Sequence, residues 1–178
     1  MKNLIFGFLI LGLTIGSAKD NSKEVELIVE DIEVVLEDVE VVGVNYNYLN
    51  AIGYRDAAEP VKLLEQKVAS FDLKNSDINT GEKQNYNVSF EIPEGKISAV
   101  FDNEGEIIST TEMFTDISLP LVVSNAIVEK YPGWKITGDV YIATYVKDGE
   151  LNKTYNLFIE KTNIGKTVIK TDESGNFL

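Results

Sequence analysis

The feature that most constrains this chain is that it carries its own pattern twice. Tyr86-Asn87-Val88-Ser89-Phe90-Glu91 recurs as Tyr155-Asn156-Leu157-Phe158-Ile159-Glu160, sixty-nine residues on. Gly95-Lys96 recurs as Gly165-Lys166, and Asp102-Asn103-Glu104-Gly105 as Asp172-Glu173-Ser174-Gly175, both at a spacing of seventy. Upstream, Glu59-Pro60-Val61 heads a stretch ending in Phe71-Asp72-Leu73-Lys74. Leu119-Pro120-Leu121 heads one ending in Tyr131-Pro132-Gly133-Trp134-Lys135. Similarity at a fixed period means one supersecondary unit built twice.

Each unit reads as a helix followed by a meander. Val61, Leu64, Val68 and Phe71 fall at helical spacing behind Pro60, which suits a first turn. In the second unit Leu119, Val123, Ala126, Ile127 and Lys130 follow Ser118, a good N-cap type, and Pro132-Gly133 stops the run. Tyr86, Val88, Phe90 and Ile92 alternate with Asn87, Ser89 and Glu91, the period of a strand buried on one side. Ile97 to Phe101 and Glu106 to Met113 flank Asp102–Gly105, whose Asp-first, Gly-last order suits a type I turn with a G1 bulge. The second unit offers strands at Val140 to Lys147, Tyr155 to Lys161, Thr167 to Thr171 and Asn176 to Leu178. The expected fold is therefore α+β: a tandem duplication of a helix-plus-antiparallel-meander unit, with helices on one face of an antiparallel sheet.

Ahead of the units stand three aligned heptapeptides, EVELIVE, DIEVVLE and DVEVVGV, spanning Glu24 to Val44. A coiled-coil seam would need more repeats and better helix formers than Val and Ile. One continuous strand is awkward too, because an odd period turns the acids to the opposite face at each copy. The segment reads as an acidic leader whose charges guard against edge pairing, its last copy running into a strand from Val39 to Tyr48. Before it, Met1-Lys2-Asn3, an apolar run from Leu4 to Gly16, and Gly16-Ser17-Ala18 follow the pattern of a secretory signal cleaved near Ala18. The expected organisation is a signal peptide over 1–18, a leader over 19–38, and one domain over 39–178. That domain holds two repeats, about 56–115 and 116–178. Export to the periplasm or the medium follows, with no membrane anchor.

The chain holds no cysteine and no histidine. That removes disulfides, thiol nucleophiles, a Ser-His-Asp triad and zinc sites built on His or Cys. Gly165-Lys166-Thr167 resembles the tail of a phosphate loop, but Glu160 stands where such a loop needs its first glycine, and a hairpin turn explains the run. The acids of Asp102–Gly105 and Asp172–Gly175 read as turn chemistry rather than calcium loops. No spacing nominates a catalytic carboxylate pair, so no enzyme and no cofactor is expected. Net charge is −13; cleavage after Ala18 removes Lys2 and no acid, leaving −14. Phosphate backbones are therefore poor partners and nucleic acid is not expected, whereas a basic protein surface suits the field.

At this point the residues resemble a family. Ser-Leu-Pro at 118–120, Ala126-Ile127, Tyr-Pro-Gly-Trp at 131–134, a tyrosine-bearing strand, and Lys-Thr-Asp-x-x-Gly-x-Phe-Leu at 170–178 are similar to the PepSY-like proteins. These are small exported proteins of Gram-negative bacteria, grouped by fold with β-lactamase-inhibitory protein. The resemblance covers roughly Val39 to Leu178 and leaves the heptapeptides outside. It implies tandem helix-plus-sheet repeats, an extracytoplasmic home and no known active site; relatives by fold inhibit peptidases or β-lactamases by protein contact.

Tyrosine and tryptophan are enriched at interface hot spots, and the aromatics are the handle on binding here. Tyr46, Tyr48, Trp134, Tyr141 and Tyr145 are the partner-binding candidates. Tyr141 and Tyr145 lie opposite Val140, Ile142 and Val146, so one apolar face of that strand is expected to look outward. The function expected is a monomeric, non-enzymatic binding module that engages a protein of the cell envelope through an open sheet face, as an inhibitor or envelope-stress component. The alternative is a small-ligand or divalent-cation binding protein that uses the acidic surface.

Overall fold

The computed structural model describes residues 45–178 and the backbone of 23–27. The expected signal segment, most of the leader and the part of the Val39–Tyr48 strand before Asn45 lie outside the described residues. Seven strands form one sheet in chain order: β1 (Lys23–Leu27), β2 (Tyr86–Ile92), β3 (Gly95–Phe101), β4 (Ile107–Thr115), β5 (Lys135–Val146), β6 (Leu151–Lys161) and β7 (Gly165–Asp172). β1 runs parallel to β2, and the six strands from β2 to β7 pair antiparallel. The helices are α1 (Tyr46–Ile52), α2 (Glu59–Ser70) and α3 (Leu121–Lys130), with one 3-10 turn at Tyr54–Asp56. The molecule is thus mixed α+β.

Alternation builds the sheet. Tyr86, Val88 and Phe90 of β2, Ile97, Ala99 and Phe101 of β3, and Phe114 of β4 are buried; so are Tyr141, Ala143 and Tyr145 of β5 and Tyr155, Leu157 and Ile159 of β6. The residues between them remain partly or fully exposed. α2 packs on β2 and β3 through Val61, Leu64 and Val68. Phe71 closes the end of that contact, its ring edge-on to Phe90 at 5.4 Å and tilted over Phe101 at 5.6 Å. Each fully buried aliphatic or aromatic side chain of this kind stabilises the fold by roughly 1.5–3 kcal/mol.

The two Asp-to-Gly turns adopt one geometry. Asp102 Oδ1 accepts from the N–H groups of Glu104 and Glu106, both at 2.9 Å, and Gly105 N–H donates to Asp102 O at 3.0 Å. Asp172 Oδ1 accepts from Ser174 and Asn176 at 2.9 and 2.8 Å, and Gly175 N–H donates to Asp172 O at 3.2 Å. Gly105 and Gly175 sit at φ of 82° and 80°, where an L side chain would be strained. At Gly175 an added Cβ would also stand 2.9 Å from Val122 O on α3. Beyond that turn the chain end only bridges back, Phe177 to Thr171, rather than adding a strand.

Three further expectations change. Tyr46 and Tyr48 are helical, not the end of a strand. Tyr48, Leu49 and Ile52 are buried at helical spacing, and Gly53 at φ 67° closes the helix in the left-handed region. Ser118 does not cap α3: Pro120 is the N-cap residue, and the helix starts at Leu121. The leader, finally, contributes a strand. Five residues are shorter than one heptapeptide, so the face reversal between copies never arises within β1. Its register sets Val25 and Leu27 beside the buried Val88 and Phe90, and Glu24 and Glu26 beside Asn87 and Ser89.

Candidate functional site

β5 carries the residues on which the binding expectation turned, and its burial decides between its two faces. Tyr141 and Tyr145 are 2% and 7% exposed. Tyr141 packs against Tyr155 at 5.1 Å and Phe114 at 6.2 Å, and Tyr145 against Tyr48 at 5.3 Å. These three tyrosines, Tyr48 included, are core side chains, which corrects the expectation that Tyr141 and Tyr145 look outward. The cause lies in their neighbours: β4 and β6 present Phe114, Tyr155 and Leu157 to the same face, and bulky aromatics fill that layer. Trp134 is half-buried against Tyr131, and Tyr46 is exposed. The five candidates therefore do not form one surface.

The outward face of β5 is Val140, Ile142, Thr144 and Val146. Register places Met113 of β4 beside Ile142, Asn156 of β6 beside Val140, and Val168 of β7 beside Phe158. Phe158 is 42% exposed and Val168 55%. Ser109, Thr111, Asn152 and Thr154 surround this apolar strip. The face is rich in β-branched and hydroxyl side chains, and its ion pairs, Lys96–Glu91 and Lys166–Glu160, lie towards its margins. Such a surface offers flat apolar contact with hydrogen-bonding groups around it.

A second constellation lies inside. Glu65 of α2 and Glu112 of β4 are fully buried and within hydrogen-bonding reach of each other. Tyr48 Oη donates to Glu112 Oε1 at 2.8 Å, and Thr110 Oγ1 donates to the same oxygen at 3.1 Å. As two carboxylates, the pair would leave both Glu65 oxygens and Glu112 Oε2 without a donor. A proton held between them would join one Glu65 oxygen to Glu112 Oε2 and leave the second Glu65 oxygen without a donor among the described residues. Burial and the neighbouring Glu112 push the Glu65 carboxyl up to about 9. Burial also pushes Glu112 up, to about 6, against the hydrogen bonds from Tyr48 and Thr110 that favour its charged form. Both shifts favour a pair that keeps a proton over two facing carboxylates. Neither residue is among those lining the cavities beside Tyr145, Met113 and Tyr141.

Position could have flagged both acids. Glu65 lies four residues after Val61 and three before Val68, on the buried stripe of α2. Glu112 shares the inward parity of Thr110 and Phe114. Among the described residues no three acids converge as a metal site, and no helix is long and apolar enough to cross a membrane. No family model matches the chain, and no curated protein matches it.

Proposed function

We propose that this chain is an exported, non-enzymatic binding module of PepSY-like type, made of two tandem helix-plus-meander units whose helices share the buried face of the sheet. The other face, uncovered among the described residues, engages a protein. The observation that carries this reading is the set of outward apolar side chains on neighbouring strands, with Met113, Val140 and Ile142 half-buried and Phe158 and Val168 exposed, a surface of the kind that marks partner contacts. The matched geometry of the Asp102 and Asp172 turns supports the duplication, and the burial alternation of β2 to β6 supports a single helix-bearing face. A partner with an apolar centre and a basic rim suits both the strip and the net charge of −13.

The test is affinity capture with the mature chain, from Lys19, immobilised and exposed to envelope extract of its own organism. The expected result is one protein retained above about 0.5 M salt, where surface charge is screened. It should be lost from a Met113→Lys, Phe158→Lys double variant that keeps the wild-type Tm. Release of all bound material at low salt would remove the packed-interface reading.

A further inference from the structure

A cavity of about 240 Å³ opens where Gly53, the start of α2 and the start of α3 approach β5 and β6. We propose that it is a binding site for a small zwitterion of amino-acid size, held with its carboxylate inward and its ammonium at the mouth. This inference stands apart from the protein-binding surface, which lies on the opposite face of β5.

The inner part of the cavity donates. Tyr141 and Tyr155 line it, 2% and 6% exposed, and among the described residues neither hydroxyl has a hydrogen-bond partner. Both hydroxyls open onto the cavity rather than into the core, so two phenol donors not engaged by a described residue face the same space and can donate to an acceptor group placed there. Lys153 is beside them, its side chain 11% exposed. Its ammonium has three protons. One goes to the Ile52 carbonyl at the end of α1, and Glu173 Oε2 stands at 3.7 Å as a loose second acceptor. The third is available. The cavity also touches Ala58 and Pro120, the N-cap residues of α2 and α3. Neither helix has a side-chain cap, so their first-turn N–H groups add partial positive charge on this side. Burial pushes the Tyr155 phenol up to about 12 and Tyr141 further in the same direction, so both remain donors at neutral pH.

The mouth accepts. Glu173 and Asp56 line it and are exposed, while Val61, Ile117 and the tyrosine rings supply apolar wall. A simple anion meets the donors but also the two rim carboxylates and a net charge of −13. A simple cation meets Lys153 and two helix N-termini. Only a molecule bearing both charges is matched at both ends.

L-alanine, propionate and ethylammonium share a carbon frame and differ in which charges they carry. Titrating each into the full mature chain at constant ionic strength, followed by NMR, tests the site. Alanine is expected to shift Tyr141 and Tyr155 resonances saturably, and to bind about tenfold tighter than propionate, with ethylammonium weakest. Tyr141→Phe should weaken alanine about tenfold, the loss of one hydrogen bond to a charged group, and Glu173→Gln should bring alanine down to propionate. If Tyr141→Phe does not fold, Lys153→Met reads the same donor set. The proposal is overturned by the absence of a saturable shift with alanine, by propionate or ethylammonium binding as tightly, or by a folded Tyr141→Phe or Lys153→Met with unchanged affinity.

Discussion

A carboxyl group taken out of water keeps its proton to higher pH, and Glu65 and Glu112 do so side by side. In the unfolded chain both ionise near the ordinary value of 4.5, whereas in the fold Glu112 ionises near 6 and Glu65 near 9. Between those limits the folded state binds more protons than the unfolded one, so unfolding free energy falls as pH rises. The contribution is fully present below about 4.5, and it is lost through about 6 for Glu112 and about 9 for Glu65. Glu65→Gln keeps a donor facing Glu112 but cannot ionise. Its Tm is expected to change little between pH 7 and pH 9. The wild type should lose at least about 1.4 kcal/mol over that range, the equivalent of one pKa unit and roughly 3–5 °C of Tm. Parallel pH–Tm curves for the two proteins would contradict the shared proton. Neither acid was nominated by sequence, because a charged side chain is assigned to the surface even where helical spacing or strand parity points it inward. Parity carried the information; composition overrode it.

At the scale of elements, what could be read depended on whether a pattern had one interpretation. The alternation of Tyr86, Val88 and Phe90 is strand and nothing else, and Pro60 followed by Val61, Leu64 and Val68 is helix; β2 and α2 form there. Asn45 to Ile52 was ambiguous. Tyr46 and Tyr48 alternate as in a strand, while Tyr48, Leu49 and Ile52 recur as in a helix, and burial of the second set decides. On β5 both parities carry apolar residues, so sequence separated the two faces without saying which is inside. The heptapeptides hide β1 for another reason: acidic–aliphatic–acidic–aliphatic occurs at 24–27, 31–34 and 38–41, and nothing local marks the first copy as the one that pairs with β2. The absence of native cysteine makes this pairing easy to trap. Glu26→Cys with Ser89→Cys, registered neighbours across β1 and β2, is expected to oxidise to an intramolecular disulfide, and Glu33→Cys with Ser89→Cys is not. Equal trapping of both pairs would mean that the leader does not hold one register.

For the whole molecule, the two layers divide the work. One side of the sheet holds the aromatic core, the acid pair and the 240 Å³ cavity; the other holds the outward strip, whose rigidity comes from six antiparallel strands in sequential order. That the chain mixes helices with an antiparallel sheet was legible in its helical and alternating patterns. The outward side chains of β5 are Val140 and Ile142 rather than Tyr141 and Tyr145, one residue away, because strand parity reverses the face at every step.

The most direct test of an open-face interface is a cysteine footprint, since the wild-type chain contributes no thiol of its own. Thr111→Cys places a single thiol on the outward face of β4, and Asn125→Cys places one on exposed α3. Each variant is labelled with a maleimide in the presence and absence of envelope extract from the chain's own organism. The account predicts that extract slows labelling at position 111 severalfold and leaves position 125 unchanged. Unchanged labelling at 111, with or without protection at 125, would contradict it.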